Sequence, residues 1–376
     1  ALQHRGQESA GITVADGHRL LTHKKMGLVA DVFDEATTRT LTGHSAIGHV
    51  RYSTSGSSHI LNAQPLQVAS HRGTMSLAHN GNIVNAPELR REMELEGSIF
   101  ATTSDSEVIL HLLARSRAET LEQALLDVLP RVRGAFSLVV LTRDQLVAVR
   151  DPYGFRPLCL GRYEDRYVEA SESCAFDILG ATYQRDIDPG EMVILGDGEL
   201  TSRFLPVDAP EKRCIFEHVY FSRPDSQIFG QSVEAARRRS GRILGREAPI
   251  DADLVCAVPD SSNTAALGYA QATGIPFELA LIRNHYVGRT FISPAQKVRD
   301  MSVRIKFNPV AQVLAGKRVV VVDDSIVRGT TMRKLVKLIR SAGAVEVHLR
   351  IASPPVTNPC YYGIDTPVRA ELIASS

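Results

Sequence analysis

The sequence lacks several features, and each absence excludes a class of protein. No apolar run in its 376 residues approaches the roughly 20 that cross a bilayer, and no signal-peptide pattern opens it. A membrane is therefore not an expected partner. Charge of one sign is also missing: 43 Lys and Arg stand against 42 Asp and Glu, a net +1. That balance gives no electrostatic reason to expect nucleic acid. Cysteine is sparse. The five thiols, at 159, 174, 214, 256 and 360, are odd in number and scattered, which excludes a disulfide framework. A reducing, cytoplasmic setting is expected. There is no internal repeat and no low-complexity tract. What remains is 44% apolar and 23% charged, an ordinary composition for a soluble protein. The length allows two domains, each with its own core.

Two rhythms divide the chain. Up to about residue 205 it is rich in short β-like segments: AGITVA, SAIGHVRYST, TMSLAHNG, AFSLVVLT, QLVAVRD and EMVILGDG. Gly, Asp or Asn punctuates between them. Two helical patterns interrupt, APELRREMELEG and SDSEVILHLLARS. Strands in series with a few helices predict a sheet sandwich layered by helices. A polar, proline-containing stretch, LPVDAPEKR, reads as a linker and sets the expected domains at 1–208 and 209–376. Beyond it strand and helix alternate: ADLVCAVP, TAALGYAQATG, PFELALI, KRVVVVDD, TTMRKLVKLIRSAG, VEVHLRIAS. Such alternation predicts a parallel sheet with helices on its faces. ALQHRGQESAGI reads as the middle of an element and ELIASS stops just after one, so the natural chain is expected to extend at both ends.

The stretch VVVVDDSIVRGTT, residues 319–331, carries the most chemistry. A β-branched run reads as a buried parallel strand, and ligands sit beyond the carboxyl ends of such strands. Gly329, Thr330 and Thr331 fall where a helix begins. Free backbone N–H groups and the helix dipole favour a phosphate there. Asp323 and Asp324, just before, would repel that phosphate but suit a sugar diol or a magnesium shell. One ligand holding a phosphate, a ribose and a metal reconciles the two. A lone DD ends many strands and a lone Thr-Thr caps many helices; the full run outweighs that reading. A second strand–loop–helix, VCAVPDSSNTAALGYA, places Asp260, Ser261 and Ser262 at a strand end, where a simple N-cap is the alternative. Between the two loops lies a basic, glycine-containing segment with Arg283, Arg289, Lys297, Arg299, Arg304 and Lys306. It suits pyrophosphate and equally reads as a solvated loop.

The run resembles the phosphoribosyltransferase signature, whose ligand is phosphoribosyl pyrophosphate (PRPP). The resemblance implies that Asp323 and Asp324 meet the ribose hydroxyls and magnesium. It gives the 5-phosphate to Ser325, Arg328, Gly329, Thr330 and Thr331, and the pyrophosphate loop with its magnesium-reaching hydroxyl to Ser261. It makes the basic segment, with Arg283, Tyr286, Arg289 and Lys306, a lid over PRPP. His285 stands where the family more usually has arginine.

The segments LQHRGQESAGI, GHVRYSTSG, LAHNGNIVN, TTSDSEV, RDPYGFRPL and SESCAFD resemble the glutaminase domain of the glutamine PRPP amidotransferases, and the combination resembles that family over nearly the whole chain. The fold then implied is an N-terminal-nucleophile α/β/β/α sandwich followed by a type I phosphoribosyltransferase domain. Arg51 would pair with the glutamine carboxylate, Asn80 and Gly81 would form the oxyanion hole, and Asp105 would receive the ammonium. Taken singly, these residues read as an ion pair, a turn and an N-cap. The family's nucleophile, an amino-terminal cysteine, is absent from this chain. In one branch of the family, Cys214 and Cys360 are two of four ligands to a [4Fe-4S] cluster, and a further C-x-x-C pair lies beyond residue 376. The other cysteines read as packing residues. The resemblance further implies formation of 5-phosphoribosylamine for purine synthesis, inhibition by purine nucleotides, and a homodimer or homotetramer. The alternatives are an ammonia-only enzyme or a PRPP-binding regulator without turnover.

Overall fold

The computed structural model describes residues 1–52, 58–196, 199–285, 306–364, 366 and 368–375. Tyr286, Arg289, Lys297, Arg299 and Arg304 lie outside the described residues. The chain forms two units. The first holds Ala1–Cys214, Gln227–Gly230 and the stretch from Cys360; the second holds Ile215–Ser226, Gln231–Pro359 and the residues from Thr366.

In the first unit, alternating apolar segments pair as antiparallel strands. β1 (Ser9–Ala15), β2 (Leu20–Met26) and β3 (Ser45–Arg51) form a sheet in the order β2-β1-β3. Six strands form a second: β4 (Leu66–Ser70), β5 (Gly73–Ile83), β6 (Gly134–Leu141), β7 (Gln145–Arg150), β11 (Glu191–Gly196) and β12 (Glu199–Phe204). Their order is β12-β11-β7-β6-β5-β4. β8 (Cys159–Tyr163), β9 (Arg166–Ala170) and β10 (Thr182–Asp186) form a third, ordered β10-β8-β9.

The six-stranded sheet is covered on both faces, which is why β6 reads as a near-continuous apolar run, GAFSLVVL. On one face, Leu77, Phe136 and Leu138 meet Leu89 and Met93 of α1 (Ala86–Leu95), Ile109 and Leu113 of α2 (Glu107–Arg115) and Leu125 of α3 (Leu121–Val128). On the other, Ala78 and Leu141 meet Ala15, Leu20 and Ile47 of the first sheet, and Ala148 and Val193 meet Leu158 and Leu160 of the third. α4 (Cys174–Leu179) closes the far side of the third sheet with Phe176 against Cys159 and Ala170. The layers run helix, sheet, sheet, helix, as the sequence predicts. Buried Cys159, Cys174 and Cys256 are packing residues.

The strands that the sequence did not announce include β2, β9, β10 and β12. All four are edge strands. An edge strand needs less apolar surface than an interior one, so sequences such as TYQRD and ELTSRF carry little β signal.

In the second unit, β13 (Leu254–Ala257), β16 (Arg318–Asp323) and β17 (Glu346–Ile351) form a parallel sheet with β16 at its centre. Val319 to Val322 are fully buried. Val319 and Val321 pack with Leu335 and Ile339 of α7 (Thr330–Ser341), and Val320 and Val322 with Ala266 and Tyr269 of α6 (Asn263–Thr273). α7 stops just before Gly343, whose φ of 100° suits glycine. One expected strand differs. PFELALI joins the parallel sheet only by an isolated bridge, Val255–Phe277, and its last two residues turn away into β14 (Leu281–Arg283), which pairs antiparallel with β15 (Phe307–Pro309). Pro276 at its start lacks an amide hydrogen, so it offers this edge only its carbonyl, which Val255 uses.

Leu138 is fully buried in the helix-covered core, whereas Leu95 is 81% exposed. Leu138→Ala is expected to cost about 3 kcal/mol in a denaturant titration, and Leu95→Ala less than about 0.5 kcal/mol.

Candidate active sites

Adjacent parallel strands end at the same level, because Ala257 of β13 is in register with Val322 of β16. The loops that follow therefore face one another. Ser262 Oγ donates to Asp323 at 3.0 Å, and Ser261 Oγ donates to Asp324. Ser325 Oγ donates to the other oxygen of Asp324 at 2.7 Å, and the Asp324 amide donates back to Asp323 at 2.9 Å. The backbone is fixed from the other side. Asp323 and Asp324 carbonyls accept from the amides of Ala352 and Ser353.

Burial, and then the neighbouring Asp324 carboxylate, push the Asp323 pKa up to about 7. Burial likewise raises that of Asp324, opposed by Ser261 and Ser325 and by the charge of Arg237. Lys306 acts on Asp323 in the same opposing sense. Two crowded carboxylates flanked by hydroxyls form an all-oxygen donor set, the chemistry of a hard divalent cation.

The helix mouth lies directly after. Gly329 takes φ 70° as the residue before α7, and Thr330 and Thr331 open the helix. Arg328 is engaged by Glu371, and the Ile373 amide donates to the Val327 carbonyl at 2.9 Å. Arg283 pairs with Asp260 at 2.9 Å, so one expected pyrophosphate ligand meets a carboxylate of the second loop.

In the first unit, Arg51 ends β3 and is 4% exposed. Its Nη1 lies 3.5 Å from Glu8; burial lowers the pKa of the guanidinium, opposed by the carboxylates of Glu8 and Asp105. Asp105 accepts from the Ile83 amide at 2.8 Å and from Ser106 Oγ at 3.3 Å. Its carboxylate lies 3.9 Å from His79 Nδ1. Asn80 and Gly81 follow His79 on β5. Gly81 has φ 152°, and a Cβ there would stand 2.0 Å from the Ala135 carbonyl. Only glycine fits. Asn80 Nδ2 is buried and has no hydrogen-bond partner among the described residues. Such a donor is costly to keep unless a ligand uses it.

Asn80 lines a cleft of about 750 Å³. Residues 44–49 of β3 and 165–171 of β9 also line it, and both strands present an unpaired edge. Two more buried polar atoms without partners, His49 Nδ1 and Glu169 Oε1, belong to residues lining the same cleft. Burial pushes the Glu169 pKa up to about 8.

Cys214 and Cys360, 146 positions apart by number (360 − 214), both attach to Phe155. The Cys214 amide donates to the Phe155 carbonyl at 3.2 Å, and the Phe155 ring stacks on Tyr362 at 4.4 Å. The Tyr362 amide in turn donates to Cys360 Sγ at 3.3 Å.

Sequence reasoning did not assign Glu8, His79, Ser106, Arg237 or Glu371 to a site. Glu8 and Ser106 stand inside quoted motifs, HRGQES and TSDSE, and were within reach. Arg237 lies in the run RRR, which reads as a solvated face, and nothing local shows that it is 4% exposed.

A sandwich holding a buried amide donor and a buried arginine paired with carboxylates, joined to a parallel sheet ending in a carboxylate pair and helix mouth, defines a two-domain transferase: one half handles a carboxamide, the other a phosphorylated sugar. Known proteins agree. Residues 49–177 match the family model of a glutamine amidotransferase domain, and residues 230–353 that of a phosphoribosyl transferase domain. The amidophosphoribosyltransferase of Bacillus subtilis is 50% identical, over 100% of this chain and 79% of that protein. That of Methanocaldococcus jannaschii is 50% identical over 100% and 83%. A solved glutamine PRPP amidotransferase from B. subtilis, complexed with ADP and GMP, superposes with TM-score 0.94 at 50% identity, covering 100% of this chain and 82% of that one. The chain belongs to the amidophosphoribosyltransferase family.

Without divalent cation, the raised pKa of Asp323 means that the folded state holds a proton the unfolded state releases near pH 3.8. Its contribution is therefore neutral at low pH and destabilising as pH rises towards about 7. Asp323→Asn is expected to remove this loss, so that its midpoint of denaturation falls less than that of the parent between pH 4 and pH 7. In the other unit, Gly81→Ala is expected to cost more than about 2 kcal/mol in the same titration, because backbone must move.

Proposed function

We propose that this chain carries out glutamine-dependent amidation of PRPP. Glutamine is hydrolysed in the first unit to glutamate and ammonia. In the second, the ammonia lone pair forms a bond to C1 of PRPP and the C1–O bond to pyrophosphate breaks. The product, after loss of a proton, is 5-phosphoribosylamine, the first committed intermediate of de novo purine synthesis. The observation that carries this is the Asp323–Asp324 pair set against Ser261 and Ser262, in the loop that leads into a helix mouth at Thr330.

Asp323, Asp324 and Ser261 would hold magnesium, which supplies charge for the departing pyrophosphate. The same carboxylates orient the ribose diol, while Ser325, Gly329, Thr330 and Thr331 hold the 5-phosphate. Arg328 and Arg283, each on a carboxylate in the free protein, exchange that partner for phosphate oxygens when PRPP enters. No side chain attacks; positioning carries the step.

In the first unit, Arg51 takes the glutamine carboxylate, Asp105 its ammonium, and Asn80 Nδ2 with the Gly81 amide the oxyanion. None of the five cysteines bears a free α-amine at this site. The resemblance gives the nucleophile's role to an amino-terminal cysteine, which is not one of these five. The cleft between the free edges of β3 and β9 has room for one extended strand, which would also give partners to the buried polar atoms there. A regulator without turnover has no use for the Arg51–Asn80–Asp105 arrangement, which favours the glutamine-using enzyme over the ammonia-only one.

Cys214 bonds to Phe155 and Cys360 to Tyr362, which stacks on that ring, and this nearness supports the two as thiolate ligands of a [4Fe-4S] cluster. The B. subtilis structure with ADP and GMP supports purine nucleotides as inhibitors. No described helix is long and apolar enough to cross a membrane. The proposed setting is cytoplasmic, as a homodimer or homotetramer.

The test uses the full-length protein. Arg51→Ala and Asp105→Ala are expected to lower glutamine-dependent pyrophosphate release at least a hundredfold while leaving ammonia-dependent release within threefold of the parent. Equal loss with both nitrogen donors would remove the assignment of the first unit.

A further inference from the structure

The parallel-sheet unit holds a buried arginine that the chemistry above does not use. Arg237 lies on α5 (Val233–Glu247) and is 4% exposed. Its guanidinium donates to three backbone carbonyls on two separate segments: Nε to His218 at 2.6 Å, Nη2 to Ser222 at 2.7 Å and Nη1 to Ser261 at 3.4 Å. Ser261 is the residue whose hydroxyl reaches Asp324. α5 has no freedom to drift from this loop. A Cβ on Gly241 would stand 1.9 Å from the Ala265 carbonyl, and one on Gly268 2.1 Å from the Arg238 carbonyl, so α5 and α6 touch backbone to backbone. α6 begins at Asn263, directly after the loop.

We propose that Arg237 is a positioning residue for PRPP: its planar fork pins the Ser261 carbonyl from behind, so that the hydroxyl of the same residue stays aimed at the carboxylate pair, and its charge faces that pair from the buried side. A rigid fork with several donors in one plane can join His218, Ser222 and Ser261 at once; a lysine ammonium keeps the charge but not that geometry. Burying a cation is costly without such bonds and a nearby anion, and here both are present.

The inference rests on the PRPP reading. The experiment titrates PRPP with magnesium chloride into full-length protein by calorimetry, alongside thermal unfolding of the ligand-free protein. Arg237→Met is expected to weaken binding at least tenfold, and Arg237→Lys about threefold. If Arg237→Met does not fold, Arg237→Gln, which keeps N–H donors without charge, replaces it with the same tenfold expectation. Binding within twofold of the parent in the uncharged variant overturns the inference. So does loss of binding by Lys and uncharged variants only in proportion to lost thermal stability, the mark of a packing role. A parent protein that binds no PRPP would instead sink the functional reading.

Discussion

Two carboxylates side by side in a buried place are an unstable arrangement, and the second unit is built around one. Each buried charge costs several kcal/mol after relaxation, and like charges add to that cost. Asp323 and Asp324 are nevertheless held in place by Ser261, Ser262 and Ser325 and by amides on both sides. The valine strand beneath cannot yield, since it is packed on both faces. A cation and a diol, as proposed above, would turn that repulsion into binding. The helix mouth two turns of loop away takes the opposite charge, so one ligand answers both demands.

The first unit follows a similar logic with a neutral group. Asn80 Nδ2 is left buried without a partner, while Gly81 is forced against the Ala135 carbonyl. Both features lie on β5, where it is paired with β6 at Ser137 and Phe136, so the ladder fixes the backbone there. Unsatisfied donors of this kind mark places where a substrate completes the hydrogen bonding.

Much of this was legible in the sequence. Most interior strands of the six-stranded and parallel sheets have strong apolar signals, and the Asp-Asp and Asn-Gly motifs sit on them, whereas the interior β8, CLGRY, is too short and polar to stand out. What escaped has physical causes. β9, β10 and β12 are edge strands and share one side with solvent, so their composition is that of a loop. PFELALI has strand composition, but it meets the parallel sheet only at one bridge and gives its last two residues to an antiparallel pair instead. Glu371 meets Arg328 across 43 positions (371 − 328), and Arg237 meets Ser261 across 24 (261 − 237). No local pattern encodes such pairings. The burial of one arginine in a run of three depends on which helix face the tertiary fold covers.

The most direct test is calorimetric titration of PRPP with magnesium chloride into the parent protein and into the double variant Asp323→Asn, Asp324→Asn. The amides keep the shape and remove the charge. Affinity should fall at least a hundredfold in the variant, and its ligand-free thermal midpoint at pH 7 should rise. Affinity within threefold of the parent would contradict the claim that the carboxylate pair is what holds the sugar and the metal.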